Sequence, residues 1–291
     1  MLKKLKNSKN PHVKHFLDGA VALRHDLTIG QKSPFKRACI RTLSTYLPRL
    51  FLSDIPKIND SANISELREV GIQYLESLGN HEISELLRFF FDKQTKHYST
   101  PINNANELKE FMQQNQIQRS NIVALDSQSP IKNILTKDNI KNISKSYLRT
   151  DLKRLSFTSY IFALGEVEHK NEESRNALMF HRDVDHFRFL KFFYFLSDTG
   201  VGQGHHEYLN RTHKIRRFSV APNGRYNLEQ IKKAYPESEL CKISGKTGEG
   251  FVEDTSGFHR GTPVKDGFRI LLMTEILPSD KKGNNTFSYP I

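Results

Sequence analysis

The sequence has few cysteines, and their placement excludes two structural roles. Cys39 and Cys241 are the only cysteines among 291 residues, and they belong neither to a CxxC motif nor to an evenly spaced series. A disulfide framework and a zinc-finger site are therefore not expected. We predict a reducing, cytoplasmic environment.

Long hydrophobic runs are also missing. No apolar run approaches the roughly 20 residues that a membrane-spanning helix needs. The first residues, MLKKLKNSKNPHVKHF, are basic and lack the apolar stretch and small-residue cleavage site of a secretory signal. We therefore expect no membrane span. The sequence also lacks internal repeats and RNA-binding aromatic motifs.

Positive charge is concentrated at one end of the chain. Residues 1–60 contain twelve Lys or Arg against four Asp, which is +8 of the total net charge of +12. A basic extension of this kind can bind nucleic acid, an anionic membrane surface or an acidic partner, or it can be a solvated extension without any partner. Nucleic-acid binding would rest on charge alone, so we do not expect it.

The pattern of apolar residues divides the chain into a helical and a β-rich half. Spacing at three and four residues predicts helices over SELREVGIQYLESLGN, HEISELLRFFFDKQ and NELKEFMQQNQ. From about Ser156, short aromatic and β-branched segments between Gly, Pro, Asn and Asp predict antiparallel strands, with one helical insert at NLEQIKKAYPE. Such strands are typical of a sandwich or jelly roll.

No linker separates the two halves, so we predict one domain. Its proposed organisation is a basic N-terminal extension (1–60) and a single domain (61–291) that is mainly helical over 61–150 and has its β core over 151–280.

Two histidines and a carboxylate have the composition of an iron site. His181 and Asp183 lie in FHRDVDHF, and His259 follows 76 residues after Asp183. Residues two apart on a strand share a face, so His181 and Asp183 can bind one ion. Two imidazoles and a carboxylate on one face of iron(II) leave three positions open for a cosubstrate and O2. An isolated H-x-D can instead be two exposed polar residues at a strand end.

Arg269 and Lys191 lie in strongly apolar segments. Alternation would place Arg269, Leu271 and Met273 on one face of a strand. If that face is inward, the guanidinium needs an anion, and a small dicarboxylate would supply one. Otherwise Arg269 caps the strand or pairs with a surface acid. Lys191, in LKFFYFL, either lies at a solvent edge or serves a ligand.

Three further histidines compete for the metal. His205, His206 and His213 lie in GQGHHEYLNRTHK, which we interpret as a Gly-rich loop. Adjacent histidines on a strand cannot both face one ion. We therefore favour exposed residues, or residues that hold a ligand in place or touch substrate, over direct ligands.

Two long segments resemble a known family. LMFHRDVDHFRFLKFFYFLSDTGVGQGHHEYLNRTHK and GEGFVEDTSGFHRGTPVKDGFRILLMTEI resemble the phytanoyl-CoA dioxygenase-like group of Fe(II)/2-oxoglutarate-dependent oxygenases, over about residues 150–277. The resemblance implies a mixed α and β fold. Its core would be a double-stranded β-helix (jelly-roll, cupin-like), with the helical N-terminal half packed around it.

The resemblance also implies roles for individual residues. His181, Asp183 and His259 match the catalytic iron ligands, and Arg269 matches the partner of the 2-oxoglutarate C5 carboxylate. Lys191 falls at a strand position that commonly lines the cosubstrate pocket. Thr262 lies near the position of a family hydroxyl that can bond the same carboxylate, although the spacing here is one residue longer. The middle loop ends in Arg211-Thr212-His213, where the family often has Gly-Ser-His.

The implied activity is an oxidation at an unactivated C–H. Fe(II) and 2-oxoglutarate would be the cofactors, O2 and a small or carrier-linked molecule the substrates, and succinate and CO2 the coproducts. Halogenating relatives lack the carboxylate ligand, so Asp183 predicts hydroxylation or a related oxidation. The positive charge favours anionic substrates. The alternative is a non-catalytic jelly-roll protein that binds a metal or an anion and uses its basic tail to join an assembly or nucleic acid. The oligomeric state is left open.

Overall fold

The computed structural model describes most of the chain from residue 63 to residue 278. The described ranges are 63–117, 119–123, 129–149, 152, 155–166, 178–183, 185, 189–215, 217, 219–220 and 224–278. The basic extension 1–60 lies outside them. Within these ranges, no helix is long and apolar enough to cross a membrane.

Helices predominate in the N-terminal part of the described chain. The elements are α1 (Ser65–Glu69), β1 (Ile72–Leu75), α2 (Asn80–Tyr98), α3 (Ala105–Gln114), β2 (Arg119–Val123), α4 (Ile131–Leu135) and α5 (Asp138–Leu148). The helices α2 and α3 confirm two of the three predicted ones. Each has a polar group at its start: the Asn104 side chain accepts a hydrogen bond from the Glu107 amide, and Glu82 accepts one from the Gly79 amide.

The helix predicted over SELREVGIQYLESLGN is wrong beyond its first five residues. The chain leaves α1 at Glu69, and Gly71 has a φ of +100°, which only glycine adopts readily. The residues after Gly71 form β1 instead. A Cβ on Gly71 would overlap the hydroxyl and ring of Tyr208, so the close approach of these two segments also requires glycine.

Strands predominate in the C-terminal part. They are β3 (Leu155–Leu164), β4 (Leu190–Phe195), β5 (His206–Leu209), β6 (Leu240–Ile243), β7 (Gly250–Glu253), β8 (His259–Gly261) and β9 (Arg269–Pro278), with α6 (Leu228–Ala234) as the predicted helical insert. The loop expected over GQGHHEYLNRTHK is therefore interrupted by a strand, β5.

The strands form two antiparallel sheets. The larger has the order β1-β7-β4-β9-β3-β2, and the smaller has the order β6-β5-β8. The strands β1 and β2, which come from the helical part of the chain, form the two edges of the larger sheet. The sequence pattern did not predict either of them.

The helices and the two sheets pack against one another through three clusters of buried side chains. The largest cluster joins residues of α1 to α5 with one face of the larger sheet, including Leu86, Phe90 and Phe192. The second lies between the sheets, where Phe193 and Phe251 meet Tyr208. A third packs α6 against the outer face of the smaller sheet. The interior between the sheets is where the polar residues considered below converge.

Candidate metal centre

The structure brings the three predicted metal ligands together. His181, Asp183 and His259 each offer a ligand atom, and these atoms lie within 4.8 Å of one another. The carboxylate oxygens of Asp183 are 3.8 Å from Nε2 of His181 and 3.5 Å from Nε2 of His259. Among the described residues, this is the only such group of His, Cys, Asp or Glu.

Backbone pairing holds the three ligands in register. His181 and His259 exchange both of their amide-to-carbonyl hydrogen bonds, each at 3.0 Å, as an isolated antiparallel bridge. The Asp183 amide donates to the Thr255 carbonyl at 2.9 Å. A backbone pairing of this kind fixes the relative position of residues that are distant in sequence. The spacing of the residues in the sequence does not reveal that pairing.

Arg182 anchors the segment between the first two ligands. Its side chain points away from the ligands and donates to the Thr212 carbonyl at 3.0 Å and to the Tyr235 hydroxyl at 2.8 Å. Its guanidinium also lies over the Phe258 ring, 4.2 Å from the centroid. The sequence analysis did not single out Arg182. We infer that its contacts reduce the freedom of the loop that carries His181 and Asp183.

Both histidines are held in the form that binds a metal. Nδ1 of His181 donates to the Met179 carbonyl at 2.9 Å, and Nδ1 of His259 donates to the Gly257 carbonyl at 3.1 Å. This leaves the Nε2 lone pair of each ring for an ion. Burial, aided by the nearby His259, lowers the pKa of His181 to about 3, so the ring is neutral.

Asp183 is held as a carboxylate by a lysine. Burial by itself would raise the pKa of Asp183, but the Lys191 ammonium and the two histidines hold that pKa well below its usual range. Nζ of Lys191 donates to Oδ2 of Asp183 at 2.7 Å. An anionic oxygen beside two imidazole rings fits a divalent cation such as Fe(II), because the site then supplies one negative charge and two nitrogen donors.

Lys191 lies among three acidic side chains beside the metal ligands. Besides Asp183, its Nζ lies 3.3 Å from Asp185 and 3.6 Å from Glu275. These carboxylates outweigh burial and raise the pKa of Lys191. Burial also raises the pKa of Glu275 to about 8. Lys191 was predicted as a cosubstrate residue. In the structure its ammonium donates to a metal-ligand candidate, Asp183, and its role toward the cosubstrate stays a prediction.

Arg269 is buried at the start of β9 without a carboxylate partner among the described residues. Only 4% of it is exposed. Its Nη1 donates to the Gly204 carbonyl, and its Nε has no hydrogen-bond partner. Burial, aided by Arg119, lowers its pKa to about 10. A buried guanidinium with an unsatisfied donor is unfavourable by itself, and an anion would satisfy it.

Thr262 does not contact Arg269 through its hydroxyl. Its Oγ1 lies 2.9 Å from the His205 carbonyl and 3.1 Å from Nδ1 of His205. Nε2 of His205 in turn lies 3.1 Å from Glu207. The hydroxyl is therefore engaged in a separate network, and we leave Thr262 out of the site proposed below.

The competing histidines are buried, so of the two alternatives predicted for them exposure is wrong. His205, His206 and His213 are all less than 9% exposed. Nε2 of His213 donates to the Arg68 carbonyl at 3.0 Å, which ties the loop after β5 to α1. Nε2 of His206 lies 2.9 Å from Oε2 of Glu253. None of the three belongs to the group of ligand atoms around Asp183.

Glu253 is a fully buried acid that the sequence analysis missed. Burial raises its pKa to about 8, and burial with the nearby Arg269 lowers the pKa of His206 to about 3. Both groups are therefore uncharged near neutral pH and share a hydrogen bond. The signal was present in the sequence, because Glu253 directly follows the apolar residues Phe251 and Val252 in a segment predicted to be a strand.

Comparison with solved structures shows a shared fold. The epimerase SnoN in complex with Fe3+, alpha ketoglutarate and nogalamycin RO is similar to this chain with a TM-score of 0.50 and 10% identity, over 74% of this chain and 81% of that one. No family model and no curated sequence matches the chain.

Two other solved structures are similar at slightly lower scores. EctD from S. alaskensis with 2-oxoglutarate and 5-hydroxyectoine has a TM-score of 0.48 and 13% identity, over 77% of this chain and 81% of that one. HygX from Streptomyces hygroscopicus with nickel and 2-oxoglutarate bound has a TM-score of 0.47 and 12% identity, over 77% and 89%. The ligands named are those of these proteins. This chain contains the His-Asp-His group described above.

Proposed function

We propose that the protein is an Fe(II)/2-oxoglutarate-dependent dioxygenase. The observation that carries the proposal is one buried interior that contains both parts of such a site: a compact His-Asp-His group and a guanidinium with an unsatisfied donor. The phytanoyl-CoA dioxygenase-like family remains our proposal for its closer relationship. The two sheets fit a double-stranded β-helix, and we propose one domain over 61–291.

The residues would divide the work between the two ends of the cosubstrate. His181, Asp183 and His259 would hold Fe(II), and Arg269 would bind the distal carboxylate of 2-oxoglutarate. Bound iron and 2-oxoglutarate supply the oxidising chemistry, in which O2 and 2-oxoglutarate are converted with release of succinate and CO2 while a substrate C–H is oxidised. The substrate proposed is small or carrier-linked, and the positive charge of the chain favours an anionic one.

The protein's own contribution is orientation and exclusion of water. The carbonyl acceptors on both Nδ1 atoms aim the Nε2 atoms at one point, and Lys191 restricts the Asp183 carboxylate. Phe193 and Phe251, stacked with centroids 4.8 Å apart, provide an apolar wall between the sheets. Such a dry, fixed arrangement favours a reaction at the substrate over side reactions with water.

Anaerobic binding followed by turnover tests this function. Adding Fe(II) and 2-oxoglutarate to the full-length protein should produce the weak visible absorption of the metal-bound keto acid, and admitting O2 should yield succinate even without a substrate. Asp183→Ala should abolish succinate formation. Asp92→Ala, on the exposed side of α2, is the matched control.

Arg269 is tested in the same assay. Arg269→Ala should raise the 2-oxoglutarate requirement roughly 10- to 100-fold, as expected for loss of a charge-assisted hydrogen bond. Arg88→Ala, at a highly exposed arginine of α2, should not. A wild type that never absorbs and forms no succinate would leave the non-catalytic alternative, a jelly-roll protein that binds a metal or an anion.

A further inference from the structure

His206 lies beside Arg269 in the interior between the sheets. In the register of β5 and β8, His206 pairs with Gly261 and Tyr208 pairs with His259. Paired residues share a face, and so do residues two apart, so His206 faces the same interior as His259. Gly261 has no side chain, and a Cβ there would lie 3.6 Å from Nη2 of Arg269. The guanidinium therefore lies in the space next to His206.

The other side of His206 faces the metal ligands. Its ring stacks on the ring of His259, with centroids 5.7 Å apart and planes inclined by 20°. Phe193 and Phe251 flank the same ring at 5.5 and 5.4 Å. His206 is therefore next to both the metal-ligand candidate His259 and the guanidinium of Arg269.

Glu253 fixes the orientation of the His206 ring. Oε2 of Glu253 lies 2.9 Å from Nε2 of His206, and Glu253 has no exposed surface. A proton on the Glu253 carboxyl makes Nε2 the acceptor and places the imidazole proton on Nδ1. Within the described residues, Nδ1 of His206 has no hydrogen-bond partner. Its N–H is then a donor available to a ligand.

We propose that His206 is a second recognition residue for the distal carboxylate held by Arg269, and that Glu253 is its positioning residue. The inference rests on the proposed function, because it assumes that a 2-oxo dicarboxylate occupies this interior. A neutral N–H donor beside one guanidinium adds a directional contact without burying a second charge, which would need its own counterion.

Two keto acids and five variants test this proposal. Anaerobic Fe(II)-loaded protein is titrated with 2-oxoglutarate and with 2-oxobutyrate, which lacks the distal carboxylate. His206→Leu should weaken binding of 2-oxoglutarate about tenfold, as for one lost hydrogen bond. Binding of 2-oxobutyrate and of Fe(II) should not change. His81→Leu, at an exposed histidine of α2, is the matched control.

Variants at Glu253 separate positioning from packing. Glu253→Gln should retain the affinity for 2-oxoglutarate, because an amide can still donate to Nε2 of His206. Glu253→Leu should lose about as much as His206→Leu. The double variant His206→Leu with Glu253→Leu should lose no more than either alone, because the two residues act through one contact.

The outcomes separate this inference from the proposed function. Equal losses for both keto acids, or unchanged 2-oxoglutarate binding in His206→Leu, would overturn the role of His206. If His206→Leu does not fold, the comparison of Glu253→Leu with Glu253→Gln decides, and equal affinities in that pair overturn the proposal. Failure of the wild type to bind 2-oxoglutarate would instead refute the proposed function.

Discussion

Two carboxyl groups in the candidate site, those of Asp183 and Glu253, differ in ionisation because their neighbours differ. Asp183 has the Lys191 ammonium at 2.7 Å and is ionised, whereas Glu253 is fully buried with only a neutral imidazole as its hydrogen-bond partner. An ionised Asp183 can bind a cation, and a protonated Glu253 can donate a hydrogen bond. Residue type alone does not reveal this division, since an aspartate and a glutamate have similar pKa values in water.

The raised pKa of Glu253 predicts a pH-dependent cost to stability. In the unfolded chain this carboxyl loses its proton near its usual pKa of 4.5, but in the folded chain only near about 8. Between these values the folded state binds more protons than the unfolded state, so stability falls as pH rises. In chelator-treated protein, the free energy of unfolding of the wild type should fall relative to that of Glu253→Gln by about 1 kcal/mol per pH unit over this window.

Denaturant unfolding at a series of pH values measures this effect. Glu239→Gln removes an exposed carboxylate and should give a flat difference from the wild type. A flat difference for Glu253→Gln as well would mean that Glu253 is ionised in the folded protein. The donor assignment for His206 would then be lost too.

For single residues, the sequence predicted that the three metal-ligand candidates lie together, but it did not predict which side chains form hydrogen bonds or ion pairs with them. The structure brings His181, Asp183 and His259 together, and it buries Arg269, because strand alternation and ligand chemistry are local or family-level patterns. The contacts of Lys191 with Asp183 and Glu275 depend on how three separate segments pack. A single sequence contains no periodicity that reports such a contact.

At the scale of elements, Gly71 decides how the chain passes from α1 to β1. Its positive φ ends the helix, and the absence of a side chain lets Tyr208 approach. Tyr208 in turn pairs with His259 in the register of β5 and β8. The glycine at position 71 thus allows the segment after α1 to pack closely against β5 of the smaller sheet.

Substitution of Gly71 should therefore be costly. Gly71→Ala forces a β-carbon into the left-handed region and into the Tyr208 ring, so we expect the free energy of unfolding to fall by ~2–4 kcal/mol. A Cβ on Gly165 meets no atom closer than 3.9 Å, which makes Gly165→Ala the matched control. Urea unfolding of both variants measures the difference, and equal stabilities would show that the segment relaxes around the new side chain.

The helix prediction over this segment failed for a recognisable reason. Its apolar residues fit a spacing of three, but Gly71 is followed by Ile72 and Tyr74, which are residue types common in strands. Whether these residues form a helix or a strand depends on their pairing with β7, because β1 is stable only as part of a sheet. The longer α2 was predicted correctly since its pattern extends over many turns.

At the scale of the whole molecule, the helical and β-rich parts share one hydrophobic core. The largest buried cluster contains side chains from α1 to α5 together with residues of β3, β4 and β9. We therefore expect the described part of the chain to unfold cooperatively. The composition change near Ser156 marks a change in secondary structure, and one domain over 61–291 stays our prediction.

Deletion of residues 1–60 tests whether the basic extension contributes to the site. All residues of the proposed site, and the partners named for them, lie between Arg68 and Glu275. We expect the truncated protein to bind Fe(II) and 2-oxoglutarate as the full chain does. If the extension binds nucleic acid, a salt-sensitive interaction should disappear on truncation, and its persistence would exclude that role.

The two edge strands of the larger sheet have a consequence for dissecting the protein. β1 and β2 cover the outer edges of β7 and β3, whose backbone groups would otherwise be open to pairing with another molecule. A fragment beginning near Ser156 would keep the whole predicted metal group and yet present two unpaired edges, a long one at β3 and a short one at β7. Such a fragment should aggregate by edge-to-edge association. The strands that the helical half contributes to the sheet should therefore also prevent self-association of the β-rich half.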